Sequence, residues 1–328
     1  MAISWSWQLG KKVITAIGIL VLIMSLVGTW WSIDPAPIKP EQQLSSQGKP
    51  VIGYATTTAL IDTVEVLLDK PGGWTSNDTM PPSVFMDNMH AFEFGALEQV
   101  RDLARIMRKE FSRSQSQSVE DKDLSEAQAK FNIDHTSWLI PRPETEYRDA
   151  IKLLDVYRLE ISDPNNQDAQ FYARADNLND WLKEVQKRLG SLSQRLSASV
   201  ENERENTDLA GDTSAQQSTK NLPIRKVKTS WWKIDDVFYE ARGSSWALLN
   251  FMRAVEIDFA DVLEKKNAKA SVRQIIRELE ATQQTVWSPM ILNGSGFGIM
   301  ANHSLVMANY ISRANAGVID LTQLLSQG

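Results

Sequence analysis

The chain of 328 residues contains no cysteine and only three histidines. Without cysteine it can form no disulfide, no zinc–thiolate centre and no thiol nucleophile. His90, His135 and His303 are far apart in the sequence and form no H-x-x-x-H pair of the kind that places two metal ligands on one helix face. We recognise no catalytic constellation of other residues. We therefore predict that the protein is not an enzyme and holds neither a metal nor another cofactor.

Positive charge is also scarce. The chain has 35 Lys and Arg against 41 Asp and Glu, which gives a formal net charge of −6. Two of the lysines, and no acidic residue, lie within the first 33 residues, so the remainder is the more acidic part. Nucleic-acid binding depends on a basic surface that neutralises phosphates. The composition therefore excludes a nucleic-acid partner.

Charge of either sign is absent from residues 13–33, directly after Lys11 and Lys12. A helix of about 21 residues spans about 31 Å, enough to cross the hydrocarbon core of a bilayer. Trp30 and Trp31 near its end are typical of the membrane–water interface. Because positive charge stays on the cytoplasmic side, the two lysines predict a cytoplasmic N-terminus and a periplasmic body, with residues 1–33 as the anchor.

A cleaved signal peptide is the alternative to an uncleaved anchor. The apolar core of a signal peptide is about 7–15 residues long and is followed by small residues at the cleavage site. The apolar segment here is longer, and the sequence Gly28-Thr29-Trp30-Trp31 is a poor cleavage site. We therefore predict one uncleaved span in a bacterial inner membrane.

Beyond the anchor, composition divides the chain into four regions. Residues 34–50 are rich in proline and predict an extended tether that packs on nothing. Residues 51–200 show apolar residues at helical spacing, residues 201–222 lack aromatic and β-branched aliphatic side chains, and residues 223–328 return to helical spacing. They predict a helical subdomain, a disordered loop, and a second helical subdomain that packs on the first. The predicted fold is mainly α: an N-terminal transmembrane helix followed by an elongated helical bundle.

The helical pattern makes three local predictions. A helix that begins near residue 83 would bury Phe85 in the same stripe as Phe92. Asp123 would cap the N-terminus of another helix. A long helix after residue 234 would be interrupted or relaxed at Gly243.

A heptad pattern runs from Leu178 to Leu196, where apolar residues recur at steps of three and four. It covers fewer than three heptads, which is typical of one helix in an antiparallel bundle. The alternative is an intermolecular coiled coil, which would make the protein a homo-oligomer. Both interpretations stay open on the sequence.

Residues 281–312 contain no Asp, Glu, Lys or Arg. Three interpretations are open: a central core helix, a surface that binds a partner, or a contact with the membrane interface. Glycines and a proline divide the segment into runs too short to span a bilayer. Its candidate contacts to a partner or ligand are Trp287, Asn293, Phe297, Asn302 and His303.

The loop of residues 72–78 is a second candidate site. Trp74 could stack on a sugar ring while Asn77 and Asp78 bind its hydroxyl groups, which would suit a cell-wall glycan. The alternative is a loop that is held in place by one buried indole ring. The two interpretations differ in whether the faces of this indole are free.

Several long segments resemble one bacterial family: KPGGWTSND, PPSVFMDNM, FSRSQSQSVED, IDDVFYEARGSSWALL and WSPMILNGSGFGIMANHSLVMANYISRANAG. The family is the domain of unknown function 2333, and the resemblance covers nearly the whole chain. It implies an inner-membrane protein of Gram-negative bacteria with one N-terminal anchor. It implies no activity, cofactor or catalytic residue.

Two functions are compatible with these observations. The first is a non-enzymatic scaffold or adaptor, anchored in the inner membrane, that joins other envelope proteins in a complex. The second is an anchored module that binds a cell-wall glycan or peptide through Trp74, Asn77 and Asp78. The first requires a surface that fits protein, whereas the second requires an accessible tryptophan with polar neighbours.

Overall fold

The structure, a computed structural model, describes residues 2–45, 48, 50–113, 120–166, 169–205, 224–288 and 290–327. Within these ranges the chain forms ten α-helices and one two-stranded sheet. The helices are α1 (Ala2–Trp31), α2 (Tyr54–Asp69), α3 (Asp87–Ile106), α4 (Lys122–Phe131), α5 (Pro143–Ser162), α6 (Ala175–Ser197), α7 (Ile234–Asp258), α8 (Ala260–Lys265), α9 (Lys269–Ala281) and α10 (His303–Ser326). The predicted fold class, an apolar N-terminal helix followed by a helical bundle, is confirmed.

Helix α1 contains the segment Leu9–Trp31, which is long and apolar enough to cross a membrane. Its most apolar stretch has a mean hydropathy of 2.3 and is only 6% buried, so it is not a core helix of the bundle. Length and composition alone do not separate such a span from a signal sequence near an N-terminus. At the start of this segment the Lys11 ammonium lies 4.8 Å from the ring centroid of Trp7.

The helices α3 and α7 form the centre of the bundle, and their backbones touch. A Cβ atom at Gly95 would lie 1.9 Å from the carbonyl oxygen of Glu240, and one at Gly243 would lie 2.0 Å from that of Phe92. No side chain fits at either position unless the helices separate. The two glycines therefore permit a direct backbone contact between the two halves of the chain.

The other helices surround this pair. On one side, Thr56 of α2 bonds to Asp258 of α7, which places α2 antiparallel to α7, and α4 and α5 pack beyond it. The rings of Phe92 and Trp246, one from each predicted subdomain, lie 5.7 Å apart in the buried core. Residues 51–200 and 223–328 thus contribute to one continuous hydrophobic core.

On the other side, α6 and α10 form an antiparallel pair. Ser193 bonds to Ser312 at 2.5 Å, whereas Gly190, one turn earlier, faces Asn315, one turn later. The heptad seam of α6 is buried within this single chain. This is the arrangement expected of an antiparallel bundle, and it leaves the seam unavailable for an intermolecular coiled coil.

The structure corrects three local predictions. α7 continues through Gly243 without interruption, since the glycine admits α3 instead of bending the helix. The cap of α4 is Asp121, whose side chain accepts a backbone hydrogen bond at 2.8 Å, and Asp123 lies inside the helix. Phe85 is exposed because it belongs to a separate 3₁₀ turn ahead of α3 and not to its buried stripe.

A short hairpin follows α6. Its strands are β1 (Asn202–Glu205) and β2 (Ile224–Val227), which pair antiparallel. Each strand has four residues, too few for an alternating pattern to identify it in the sequence. β1 lies inside the region predicted to be disordered, and residues 206–222 of that region lie outside the described residues.

Candidate functional site

Four connections between helices meet at one end of the bundle, which we call the loop end. They are residues 70–86, 132–142, 228–233 and 282–302. Trp74 Nε1 donates to the carbonyl oxygen of His135 at 3.0 Å and so links the first two connections. Directly after α6, the carbonyl oxygen of Ala198 accepts from Thr229 N at 2.8 Å, and that of Ser199 accepts from Asn293 Nδ2 at 2.7 Å. The last two connections therefore meet at the C-terminus of α6.

The N-termini of α3 and α7 also lie together at the loop end. The carboxyl group of Asp236 in the first turn of α7 has a raised pKa because it is partly buried and because the Asp87 and Asp235 carboxylates are near. Asp87 is the first residue of α3. The two central helices are thus parallel, and the segments that precede them emerge side by side.

The apolar helix α1 leaves the body at this same end. A Cβ atom at Gly28 would lie 3.4 Å from Pro82 Cβ, and one at Gly72 would lie 2.7 Å from Trp31 Cδ2. Trp31 is half-buried by this contact, while Trp30 is exposed. Lys11 and Lys12, the other predicted anchor residues, are exposed near the opposite end of α1.

Residues 34–38, which we call the strap, are fastened to the body. The strap is extended, as the sequence predicts, but it packs along one face of α7 and is not a free tether. The bonded pairs are Asp34–Arg242 at 2.7 Å, Ala36–Trp246 at 3.1 Å, Ile38–Asn250 at 2.9 Å and Ile38–Arg253 at 3.0 Å. Proline content alone predicts extension, whereas the partners that hold the strap lie more than 200 residues away in sequence.

Arg242 joins the strap, α7 and the segment that follows α9. Its Nε donates to Asp34, and its Nη1 and Nη2 donate to the carbonyl oxygens of Thr282, Gln283 and Gln284, just after α9. Burial raises the pKa of Asp34, and the Arg242 guanidinium opposes this rise. Four of the five N–H groups of the guanidinium donate within the chain and all three of its nitrogen atoms are bonded, so Arg242 acts as a structural junction.

The predicted sugar-binding site does not form. Trp74 is only 3% exposed, and its ring packs edge-on against Tyr147 with the centroids 5.2 Å apart. Asn77 is buried as well and donates to the carbonyl oxygen of Ser137. Only Asp78 is exposed, and partial burial raises the pKa of its carboxyl group. Because neither face of the indole is free, Trp74 cannot stack on a sugar and instead fixes the loop.

A buried ion pair also fixes the loop of residues 72–78 to α3. The Lys70 ammonium lies 2.7 Å from Glu93 Oε1, and both side chains are inaccessible to solvent. The carboxylate of Glu93 also accepts from Thr75 N and Ser76 N at 2.9 and 2.8 Å. Glu93 follows Phe92 on the buried side of α3. Nothing in the sequence distinguishes this buried glutamate from one that is exposed to solvent.

The polar candidate residues of the uncharged segment 281–312 form hydrogen bonds within the chain. Asn302 caps α10 by accepting from Leu305 N at 2.8 Å, and its Nδ2 donates to Asn293 Oδ1 at 2.8 Å. His303 Nδ1 accepts from Leu292 N at 3.1 Å. These bonds close residues 292–303 into a loop, in which the side-chain amides of Asn293 and Asn302 and the Nδ1 atom of His303 are bonded within the chain.

Trp287 and Phe297, the two apolar candidates of this segment, are exposed. The interpretation of residues 281–312 as a central core helix is therefore wrong for the part before α10. In the described part of the loop between α9 and α10, internal bonds such as that from Asn302 Nδ2 to Gly294 O take the place of helical ones. The α10 portion contributes Met307 and Ile311 to the core, whereas Val286 and Ile291 of the preceding loop pack against the core and are only partly buried.

Further aromatic residues are exposed at the loop end, although the sequence alone does not identify them as surface residues. They are Phe85, Trp138, Trp231 and Trp232. One signal was available: adjacent residues such as Trp231 and Trp232 point in different directions, so one apolar face cannot bury both. Trp138 precedes two apolar residues and a proline, a run without helical or strand periodicity.

A cavity of about 320 Å³ opens beside the loop end. Phe238, Trp287, His303 and Tyr310 form most of its aromatic wall, and Arg242 lies at its side. Phe238 and His303 pack at 6.5 Å between centroids. Because the guanidinium is already bonded, the cavity offers an apolar surface rather than a charged one.

Comparison with known proteins gives one family match. The match extends over residues 3–328, to a family described as "Uncharacterized protein conserved in bacteria (DUF2333)". No curated protein and no solved structure matches the chain. Because the match covers the apolar helix, the strap and the entire helical body, the chain belongs to this bacterial family, DUF2333.

Proposed function

We propose that the chain is a single-pass inner-membrane protein whose helical body lies in the periplasm and acts as a non-enzymatic adaptor in an envelope complex. The length and apolar surface of α1 support the membrane span, and Lys11 and Lys12 support a cytoplasmic N-terminus. Trp31 packs on Gly72 of the body, a contact that a cleaved signal sequence would not make. These observations favour an anchor that stays part of the working protein.

The strap is the observation that carries the adaptor role. A flexible tether would let the body rotate freely above the membrane. The bonds from Asp34 and Ile38 to α7 instead hold the body at one height and orientation relative to α1. Such an arrangement lowers the entropy that is lost when a second envelope protein binds, because the partner meets a pre-oriented surface.

The aromatic cavity is the surface that we assign to this partner. Its volume of about 320 Å³ suits one or two apolar side chains of a protein, and its wall contains Phe238 and Tyr310. Aromatic residues in pockets commonly contribute most of the binding energy at protein interfaces. The partner would be another envelope protein that reaches the membrane-proximal end of the body.

Site-specific photocrosslinking in living cells tests the proposal. A photoreactive phenylalanine derivative in place of Tyr310 should form an adduct with one envelope protein, identified by mass spectrometry. The same group at Asp320, exposed and farther along α10, should not form it. Absence of an adduct from position 310, or the same adduct from position 320, would contradict the proposal.

A second pair of variants tests the strap. Asp34→Ala removes the ion pair with Arg242, while the three carbonyl partners of Arg242 remain. Asp69→Ala removes an exposed ion pair with Arg148 and leaves the strap intact. We expect the adduct from position 310 to decrease severalfold in Asp34→Ala and to persist in Asp69→Ala. Equal adduct yields in both variants would show that strap attachment has no part in partner binding.

A further inference from the structure

The loop end carries every exposed Phe and Trp that the structure describes outside α1. Phe85 lies in the turn before α3, and Trp138 and Ile140 lie between α4 and α5. Ile140 is 93% exposed, so nothing in the body covers it. Large apolar side chains that converge from separate connections form a patch of the kind that marks an interaction surface.

The other two connections add to the same patch. Trp231 and Trp232 precede α7 and pack edge-on with their centroids 4.9 Å apart, yet both remain exposed. Trp287 and Phe297 belong to the segment that contains no Asp, Glu, Lys or Arg. An uncharged loop with exposed aromatic rings avoids the cost of bringing ions close to a low-dielectric phase.

The opposite end of the bundle is different. The exposed large apolar residues described there are aliphatic, such as Leu44 and Ile52 beside the start of α2, and Leu159 near the end of α5. Tryptophan in particular favours the membrane–water interface, where its ring is apolar and its N–H can bond to headgroups or water. The asymmetry between the two ends therefore matches a molecule with one end in contact with lipid.

The position of α1 identifies the part of the body that would lie nearest to the membrane. Its last turn contacts Gly72 and Pro82, both in the first connection of the loop end. The strap then turns back along α7 and away from this end. If α1 spans the bilayer, the connections that touch its last turn lie at the depth of the headgroups.

From these observations we infer that the loop end is a second, monotopic membrane contact: its aromatic residues enter the interfacial layer of the leaflet from which α1 emerges. The ligand is the lipid surface itself. This inference rests on the membrane anchoring proposed above and adds to it a surface that holds the body down on the bilayer. Interfacial insertion of several aromatic side chains is favourable through the apolar area that leaves water.

Depth measurements on the full-length protein test the inference. The chain has no cysteine, so a single substitution supplies a single labelling site. Phe85→Cys, Trp232→Cys and Phe297→Cys place a fluorophore on three of the four connections. Each labelled protein is reconstituted in nanodiscs of bacterial phospholipid that carry nitroxide-labelled acyl chains. All three positions are exposed, and far-UV circular dichroism checks that the helical fold is retained.

Two controls make the outcome unambiguous. Leu20→Cys lies within α1, and Leu159→Cys is an exposed apolar position about 24 Å along α5 from its loop-end terminus. We expect the three loop labels to be quenched by the lipid nitroxide at least about twofold more than the label at position 159.

Quenching of the loop labels no stronger than at position 159, with position 20 strongly quenched, would overturn the inference and leave the patch as a protein-binding surface. Weak quenching at position 20 would instead contradict the anchor and hence the proposed function. The two failures are therefore distinguishable in one set of measurements.

Discussion

Glu93 and Asp258 are both buried carboxylates, but their surroundings differ. Glu93 pairs with the Lys70 ammonium at 2.7 Å and accepts from two backbone N–H groups, so its charge is balanced inside the protein. Asp258 accepts from the backbone N–H and the hydroxyl of Thr56, at 2.7 and 2.6 Å, near the start of α2. Burial raises the pKa of Asp258 to about 6, and these hydrogen bonds oppose the rise. The ionised form of Asp258 is therefore costly in the folded state.

The free energy of unfolding of the Asp258→Asn variant should increase relative to that of the wild type as the pH rises. With a folded pKa of about 6 against 3.8 in the unfolded chain, the folded state binds the proton more tightly, so wild-type stability is lost as pH increases through this range. Asparagine does not ionise and keeps an acceptor for Thr56. We expect the difference in unfolding free energy, variant minus wild type, to rise by about 2 kcal/mol between pH 4.5 and pH 7.5.

Denaturant unfolding of the detergent-solubilised protein, followed by circular dichroism at the two pH values, measures this difference. Asp261→Asn is the matched control, because Asp261 is an exposed carboxylate three residues further along the chain. Its difference from wild type should not change with pH to a comparable extent. A pH-independent difference for Asp258→Asn would mean that burial does not perturb this carboxyl group.

At the level of elements, the periodicity of apolar residues predicts where helices lie and which of their faces are buried. The steps of three and four in α6 locate both the helix and its buried seam, and the proline at the start of α5 locates that boundary. The burial of Trp74, the attachment of the strap and the grouping of Trp138 with Trp231 depend on contacts between distant residues. Such contacts follow from the packing of helices, which no window of a single sequence contains.

The contact between α3 and α7 predicts that alanine has opposite effects on stability at Gly243, which lies in the contact, and at Gly190, which lies outside it. Gly243→Ala should destabilise the body by about 1–3 kcal/mol or more, because its Cβ would meet the Phe92 carbonyl at 2.0 Å and force apart two backbones. Gly190→Ala in α6 should instead stabilise it by about 0.5–1 kcal/mol, because a Cβ there has its nearest neighbour at 3.7 Å and alanine is the better helix former.

Thermal unfolding midpoints of the two variants and the wild type, recorded in one detergent, provide the comparison. Both substitutions add the same methyl group within a helix, so a difference in sign isolates the helix–helix contact from helix propensity. If Gly243→Ala raised the midpoint as Gly190→Ala does, the backbones of α3 and α7 would not be in contact.

At the level of the whole molecule, the two ends of the bundle differ in composition and in connection to α1. The strap holds α7, α7 contacts α3 along its length, and α3 begins at the loop end. The segment that follows α1 is therefore attached to the core through Arg242 and Trp246. If α1 spans a membrane, as we propose, this arrangement turns the loop end toward the bilayer.

The lysines that precede the apolar segment of α1 predict the orientation of the membrane span. Trp7→Cys lies before Lys11, and Leu159→Cys lies in the body, each in a chain that has no other thiol. Because positive charge stays on the cytoplasmic side, a membrane-impermeant maleimide added to spheroplasts should label position 159 at once and position 7 only after lysis. Both labels should appear on a chain of the full 36.9 kDa, since an anchor is not cleaved. The reverse labelling would place the body in the cytoplasm, and a shortened chain without residue 7 would identify α1 as a signal sequence.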